Sequence, residues 1–215
     1  MPSSTVPPNA ESDPSTRKLG ESPFHVKGNV YAGTKQFFAK KVDGGLDALY
    51  KAIDDPALAE FIQQKFVAVA WYDVLPAVPL IRAEARVLGL GTKRYLQLRT
   101  AYQAEQDLAG VYRMILKLAS AELVALKMPR LFAQVFDFGT SDARVVAPGH
   151  VEGAVRDFPA SLFDWFSVSL EVYTRAALKM TGAREAAVVA RRVKSSAPPG
   201  GEPMASLQID MRWSG

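Results

Sequence analysis

The sequence has no cysteine at all and only two histidines among its 215 residues. Without cysteine there are no disulfides, no thiolate nucleophile, and no iron–sulfur or thiolate-bound zinc site. The histidines, His25 and His150, lie far apart, and neither belongs to a spacing that a metal or a histidine-activated nucleophile needs. Long apolar runs are missing too. No stretch approaches 18 apolar residues without a charge, so no membrane span is expected. Residues 1–20 lack the apolar core of a secretory signal. Together with the missing cysteine, this reads as a soluble cytoplasmic protein.

What is present is a good core former. The hydrophobic fraction is 48% and the charged fraction 22%, values at which a chain can bury a core. The 26 basic residues exceed the 22 acidic ones by four. So mild a surplus does not require nucleic acid, and no aromatic interleaving or recognisable nucleic-acid motif supports it. Residues 1–23 are rich in Ser, Pro, Glu and Asp and contain no aromatic side chain, so they are expected to be a disordered tail. Residues 24–215 are expected to form one α+β domain.

The periodicity predicts a first strand over 24–31 and helices from there to about residue 128. A short helix is expected over 36–41 and another over 46–53. Asp55-Pro56 marks a further helix start, an acidic N-cap followed by proline at the first position, with Leu58, Phe61, Ile62, Phe66 and Val69 turned inward. The pattern breaks at 71–76, resumes over 78–88 and stops at Gly89. Thr92 is read as the cap of a long helix to about 118, with Gly110 as a break or close-packing point, and 120–128 as a last short turn before Pro129. After Pro129 the period shortens. Strands are expected at 131–138, 143–146, 151–158, 186–193 and 207–211, with a helix over 161–180 and a flexible loop at 195–203. The result is a helical layer packed on a C-terminal antiparallel sheet of strand, strand, helix, strand, strand.

The 161–180 helix carries the widest apolar arc, from Leu162, Trp165 and Phe166 through Leu170 and Tyr173 to Met180. An arc covering half the circumference touches more than one neighbour. Glu171 and Arg175 on its polar side have the i,i+4 spacing of an ion pair.

Catalytic machinery is hard to find. No serine sits in a Gly-x-Ser-x-Gly elbow. The segment Gly89-Leu90-Gly91-Thr92-Lys93-Arg94 fails the phosphate-loop spacing and follows a helix, which leaves Thr92, Lys93 and Arg94 as an anion-binding candidate at a helix N-terminus. Arg184, Arg191, Arg192 and Lys194, with Arg130, Arg144 and Arg156, are read as a basic sheet that resists edge pairing. His150 is expected in an exposed turn. No catalytic residue, metal ligand or cofactor is assigned.

Three functions remain. The first is a non-enzymatic interaction or regulatory module with a protein partner or a second copy of itself. The second is a sensor that holds a small apolar ligand between helices and sheet, with Trp71, Tyr72, Phe163, Trp165 and Phe166 as lining candidates. The third is a carboxylate–arginine enzyme using Asp73 with Arg82 or Arg86. For Asp73, helix capping toward Leu75 or Ala77 is the competing account.

The opening Phe24-His25-Val26-Lys27-Gly28-Asn29-Val30, the helix starts at 45–53 and Asp55-Pro56, and Ala70-Trp71-Tyr72 before Leu75-Pro76 resemble a myxobacterial family of unassigned function. The last third is similar in topology to TRAPP-type trafficking subunits, four-vinyl-reductase domains and haem-NO-binding domains. That resemblance implies a small apolar ligand or a protein partner, often in a dimer. It also implies a cysteine-rich metal site or a helical haem-ligating histidine in some members. This chain has no cysteine, and no histidine between Gly33 and Pro148.

Overall fold

The computed structural model describes residues 19–109, 111–193 and 202–215. Its architecture is α+β, with an antiparallel sheet packed against helices, as the sequence pattern predicts. The first half supplies β1 (His25–Lys27), α1 (Asn29–Lys41), α2 (Gly45–Lys51), α3 (Pro56–Gln63), β2 (Trp71–Asp73), α4 (Ala77–Val87), α5 (Thr92–Asp107) and α6 (Val111–Leu118). Then come α7 (Ala121–Val135), β3 (Thr140–Ala147), β4 (His150–Pro159), α8 (Phe163–Met180), β5 (Arg184–Val193) and β6 (Met204–Ser214). β1 and β2 form a small antiparallel pair, and the other four strands form a sheet in the order β3-β4-β6-β5.

The sheet works by strict alternation. Val151 and Val155 of β4, Leu207, Ile209 and Met211 of β6, and Val188 of β5 are buried on the face covered by α7 and α8. The opposite face is polar and ion-paired, both across strands and along β6. Arg144 Nη2 donates to Glu152 at 2.8 Å, Arg156 pairs with Asp142, and Arg212 Nε donates to Asp210 Oδ1 at 2.7 Å. A one-residue slip would exchange these two faces, so burial fixes the register.

β5 is an edge strand, and the edge is covered by α8. Glu171 Oε1 accepts from the Ala190 N–H at 2.9 Å, and Arg175 Nη2 donates to the Val188 carbonyl at 3.1 Å. The pair predicted to bridge each other on the helix surface instead serves the strand's outward backbone groups. Thr174 of the same helix is buried and faces a helical cavity.

Several other expectations are corrected. The first strand is only three residues long, because Gly28 turns the chain into α1 against the backbone. A Cβ there would sit 2.2 Å from the Val67 carbonyl oxygen. The short helix at 36–41 is the end of α1. Asp55 caps α3 by accepting from Ala57 N at 2.9 Å, but the helix stops at Gln63. Phe66 packs inward beyond it, whereas Val69 is 76% exposed. Gly91, not Thr92, occupies the cap of α5, which closes at Asp107 before α6 begins.

The largest difference is at Pro129. It sits inside the fifteen-residue α7, where it removes one backbone hydrogen bond, yet the helix continues to Val135. Ser120 Oγ accepts from Leu123 N at 3.1 Å to start it, and burial of Val124, Ala125 and Phe132 outweighs the local cost. The strand predicted at 131–138 therefore does not form. β3 pairs with β4 through the turn at Gly149 (φ +74°), and Arg130 lies on a helix rather than on the sheet. Gly110, Lys194, most of the 195–203 loop and most of the 1–23 tail lie outside the described residues. At the near end of that tail, Ser22 is buried and bonded to Asp73.

Candidate functional site

Asp73 proves to be a structural residue. Its carboxylate accepts from Leu75 N at 2.9 Å, from Ser22 N at 3.1 Å and Ser22 Oγ at 2.5 Å, and from Gly20 N at 3.0 Å. This is the turn-capping outcome. Arg86 is engaged elsewhere, with the Ala52 carbonyl and Asp54, and Arg82 is exposed. No cleft joins the three, and the carboxylate–arginine enzyme loses its geometry. Thr92, Lys93 and Arg94 are all exposed at the start of α5, with nothing converging on them among the described residues.

The two histidines are each tied to an aspartate. His25 Nδ1 is 2.6 Å from Asp137 Oδ2, and His150 Nε2 is 3.0 Å from Asp210 Oδ2. His150 opens β4 and is half-buried rather than in an exposed turn. With Glu152 and Asp210 it brings three ligand-type atoms within 4.8 Å of one another. Both carboxylates already hold an arginine, Glu152 that of Arg144 and Asp210 that of Arg212. The cluster therefore reads as the ion-paired outer face of the sheet.

The concavity that matters is a cavity of about 300 Å³ among α1, α4, α5, α7 and α8. One wall is aromatic and aliphatic: Phe132, Phe136, Trp165, Phe166 and Leu170. Phe136 lies 4.8 Å from Phe166 and 6.0 Å from Trp165 between ring centroids, so the wall is a continuous packed surface. Exposed lining residues, Asn29, Asp107, Leu131 and Gln134, mark where the cavity opens to solvent. Of the five residues predicted to line a ligand pocket, Trp165 and Phe166 line this cavity. Trp71 lies on the surface under the Lys27 ammonium at 3.6 Å, Tyr72 accepts from Val67 N, and Phe163 packs between Phe158 and the Arg192 guanidinium. The cavity is lined by helical residues and by Phe136, which follows α7 in extended backbone, and α8 also packs against β5.

The opposite wall is polar and comes from α5. Tyr95, Arg99, Gln103 and Asp107 recur every fourth residue, which stacks them along one side of the helix. Arg99 Nη1 donates to Gln103 Oε1 at 3.0 Å, and Gln103 in turn donates to Asp107. Gly33 of α1 leaves room for this ladder: a Cβ there would lie 2.7 Å from Gln103 Oε1 and 2.8 Å from Arg99 Nη2. Glu84 of α4 faces the deep end, and its carboxyl is buried to 1% exposure. Burial pushes its pKa up to about 7, against the smaller pull of the nearby Tyr95 hydroxyl and the Arg99 guanidinium. Burial likewise raises Tyr95 well above the usual tyrosine range, with the Glu84 charge adding to it. Glu84 Oε1, Tyr95 Oη and Arg99 Nε close no hydrogen bond of good geometry among the described residues. Three such groups together in one cavity are uncommon, because each carries its desolvation cost uncompensated.

No protein-family model and no curated protein matches the chain. Solved structures do. A Cs H-NOX mutant carrying 4-cyano-L-phenylalanine superposes with a TM-score of 0.59 at 10% identity, over 88% of this chain and 97% of that one. A mutant of T. tengcongensis H-NOX gives 0.59 at 10% identity, over 88% and 98%. An oxygen-binding H-NOX domain related to soluble guanylate cyclases gives 0.58 at 10% identity, over 88% and 95%. The fold is the H-NOX fold.

Among the fold relatives expected from topology, the haem-NO-binding domains are the ones these matches support. The residues here do not suit the haem held by a helical histidine that the topological resemblance implies. The helical cavity of this chain is lined by no histidine and no cysteine, and His25 and His150 lie outside it, on β1 and β4. Tyrosine can ligate haem iron as the phenolate. Of the tyrosines lining the cavity, Tyr31 donates its hydroxyl to the Asp73 carbonyl at 2.6 Å, Tyr95 is pushed away from ionisation by burial and Glu84, and Tyr173 bonds the Asp107 carboxyl.

Proposed function

We propose that this protein is a non-enzymatic sensor that binds a small ligand with an apolar body and one polar end in the helical cavity. The observation that carries this reading is the pairing, in one cavity of about 300 Å³, of an aromatic wall with three buried polar atoms, Glu84 Oε1, Tyr95 Oη and Arg99 Nε, that close no hydrogen bond of good geometry among the described residues. Apolar sites with a few converging polar groups are the usual form of small-molecule pockets. The volume is at the lower end of their range, which favours a compact ligand over a macrocycle. Trp165, Phe166 and Leu170 would contact the body of the ligand, and Glu84, Tyr95 and Arg99 its polar end.

α8 gives the signal a route. It presents Trp165, Phe166 and Leu170 to the cavity and, through Glu171 and Arg175, holds the β5 backbone. A ligand that shifts α8 would alter how the sheet edge is covered. The sensor reading fits these features better than a surface interaction module does, because the unsatisfied groups point inward.

Native mass spectrometry of freshly purified protein tests the proposal directly. A bound mass of a few hundred daltons, displaced by denaturation, is expected. A bare protein mass, together with no thermal stabilisation by a panel of compact amphipathic compounds, would overturn it.

A further inference from the structure

Resting on that reading, we infer that the polar end of the cavity receives a carboxylate, so that the ligand class is compact aryl or alkyl monocarboxylic acids. The groups with unfilled hydrogen-bonding capacity are Arg99 Nε, the Tyr95 hydroxyl and the Glu84 carboxyl. Arg99 Nε–H can only donate, and Tyr95 O–H, which lies beside Glu84 without closing a hydrogen bond of good geometry to it, can turn to a ligand. Gln103 already occupies Arg99 Nη1, which leaves the Nε edge of the guanidinium as the open one. A carboxylate is the head group that accepts from an arginine edge and a hydroxyl at once. A protonated Glu84 adds a third donor. An alcohol could fill only part of this set.

The charge balance agrees with the geometry. The titratable or charged groups lining the cavity are Tyr31 from α1, Glu84 from α4, Tyr95, Arg99 and Asp107 from α5, and Tyr173 from α8, while α7 supplies none. Asp107 sits at the open rim and is already held by Gln103, and Tyr173 also bonds its carboxyl. Among the described residues the Arg99 charge acts on Glu84 at the deep end and on Asp107 at the rim. Since burial pushes the Glu84 carboxyl up to about 7, it is neutral on the acid side of that value, and Arg99 then has no charged partner at the deep end itself. An incoming carboxylate supplies one. It also disfavours an ionised Glu84 beside it, so binding above pH 7 must be accompanied by proton uptake at Glu84.

Matched probes separate this inference from the reading beneath it. The full chain is titrated calorimetrically with 4-phenylbutyrate, 4-phenylbutan-1-ol and 4-phenylbutanamide, which share one aryl body and differ in the head. At pH 6 the acid is expected to bind at least about tenfold more tightly than the alcohol or the amide, the worth of a charge-assisted hydrogen bond. Its affinity should then fall about tenfold per pH unit above 7, with proton uptake visible as a dependence of the heat on buffer ionisation, while the alcohol's affinity stays flat. Arg99→Gln should remove the preference for the acid. Glu84→Gln, which keeps the shape, should retain binding of the acid and abolish its pH dependence. Equal or tighter binding of the alcohol or the amide at pH 6 would overturn the carboxylate and leave the cavity as a ligand site. No binding of any of the three would overturn both.

Discussion

Replacing Glu84 by glutamine isolates one buried carboxyl whose ionisation opposes folding. In the unfolded chain this group titrates near its ordinary 4.5, and in the folded protein near 7. Below 4.5 both states are protonated, and Glu84 adds no pH dependence. Between 4.5 and 7 the folded state holds a proton that the unfolded state has released, so stability falls as pH rises. Above 7 both are ionised, and the folded protein bears the whole cost of a buried charge. At 1.4 kcal/mol per tenfold shift in equilibrium, the interval amounts to roughly 3 kcal/mol. Burial and not a partner sets that value, which is why removing the charge should help. The assay is urea denaturation of the wild type and Glu84→Gln at pH 5, 6, 7 and 8. Asp107, which burial also raises, is present in both proteins and cancels in the difference. The wild type should lose roughly 3 kcal/mol relative to the variant between pH 5 and pH 8, mostly before pH 7. A difference that is constant across this range would refute the reasoning, as would one that grows with pH in favour of the wild type.

Asp73→Ala should cost about 3 kcal/mol in chemical denaturation, more than an ordinary cap, because it strands the amides of Gly20, Ser22 and Leu75 together. A loss below about 1 kcal/mol would mean that residues 19–22 are not held there. Glu171→Ala should accelerate hydrogen exchange at the Ala190 amide at least severalfold, with a stability loss of about 1 kcal/mol; unchanged exchange at Ala190 would remove α8 as the cover of that edge. Gly33→Ala should gain about 0.5–1 kcal/mol of helix stability while displacing Arg99 and Gln103, so a higher melting temperature should accompany weaker binding of 4-phenylbutyrate. Undiminished binding in that variant would count against Arg99 as the anchor.

The sheet was legible because alternation is a strong signal. Leu207, Ile209 and Met211 against Gln208, Asp210 and Arg212 can serve only a half-buried strand. The wide arc of α8 likewise announced contact on two sides. Pro129 misled because a local rule about backbone donors was weighed without the burial of Ala125 and Phe132 on either side of it. The short β1 was hidden by Gly28, whose role is a close approach to Val67 some forty residues later, and nothing local encodes that. All five aromatic lining candidates were chosen for residue type, which does not say which side of an element meets a cavity; Trp165 and Phe166 line it, and Trp71, Tyr72 and Phe163 do not.

Glu84 was missed although the sequence marks it. Ala77, Leu80 and Ile81 form the inward stripe of α4, and Glu84 falls in that stripe, while Arg82 and Arg86 fall outside it. A carboxyl at a core position is either paired or functional, and Tyr95, Arg99, Gln103 and Asp107 at fourfold spacing supply the face opposite. Nothing in the sequence of α5 says which side of it is buried; only its packing against α1, α4 and α8 turns that ladder inward. Core packing alone would have filled this space with leucine at less cost. Keeping an acid, a phenol and a guanidinium there, each short of a partner, fits a cavity built to receive something from outside. The same helix that walls the cavity also holds the sheet edge, so occupancy inside has a physical path to the surface.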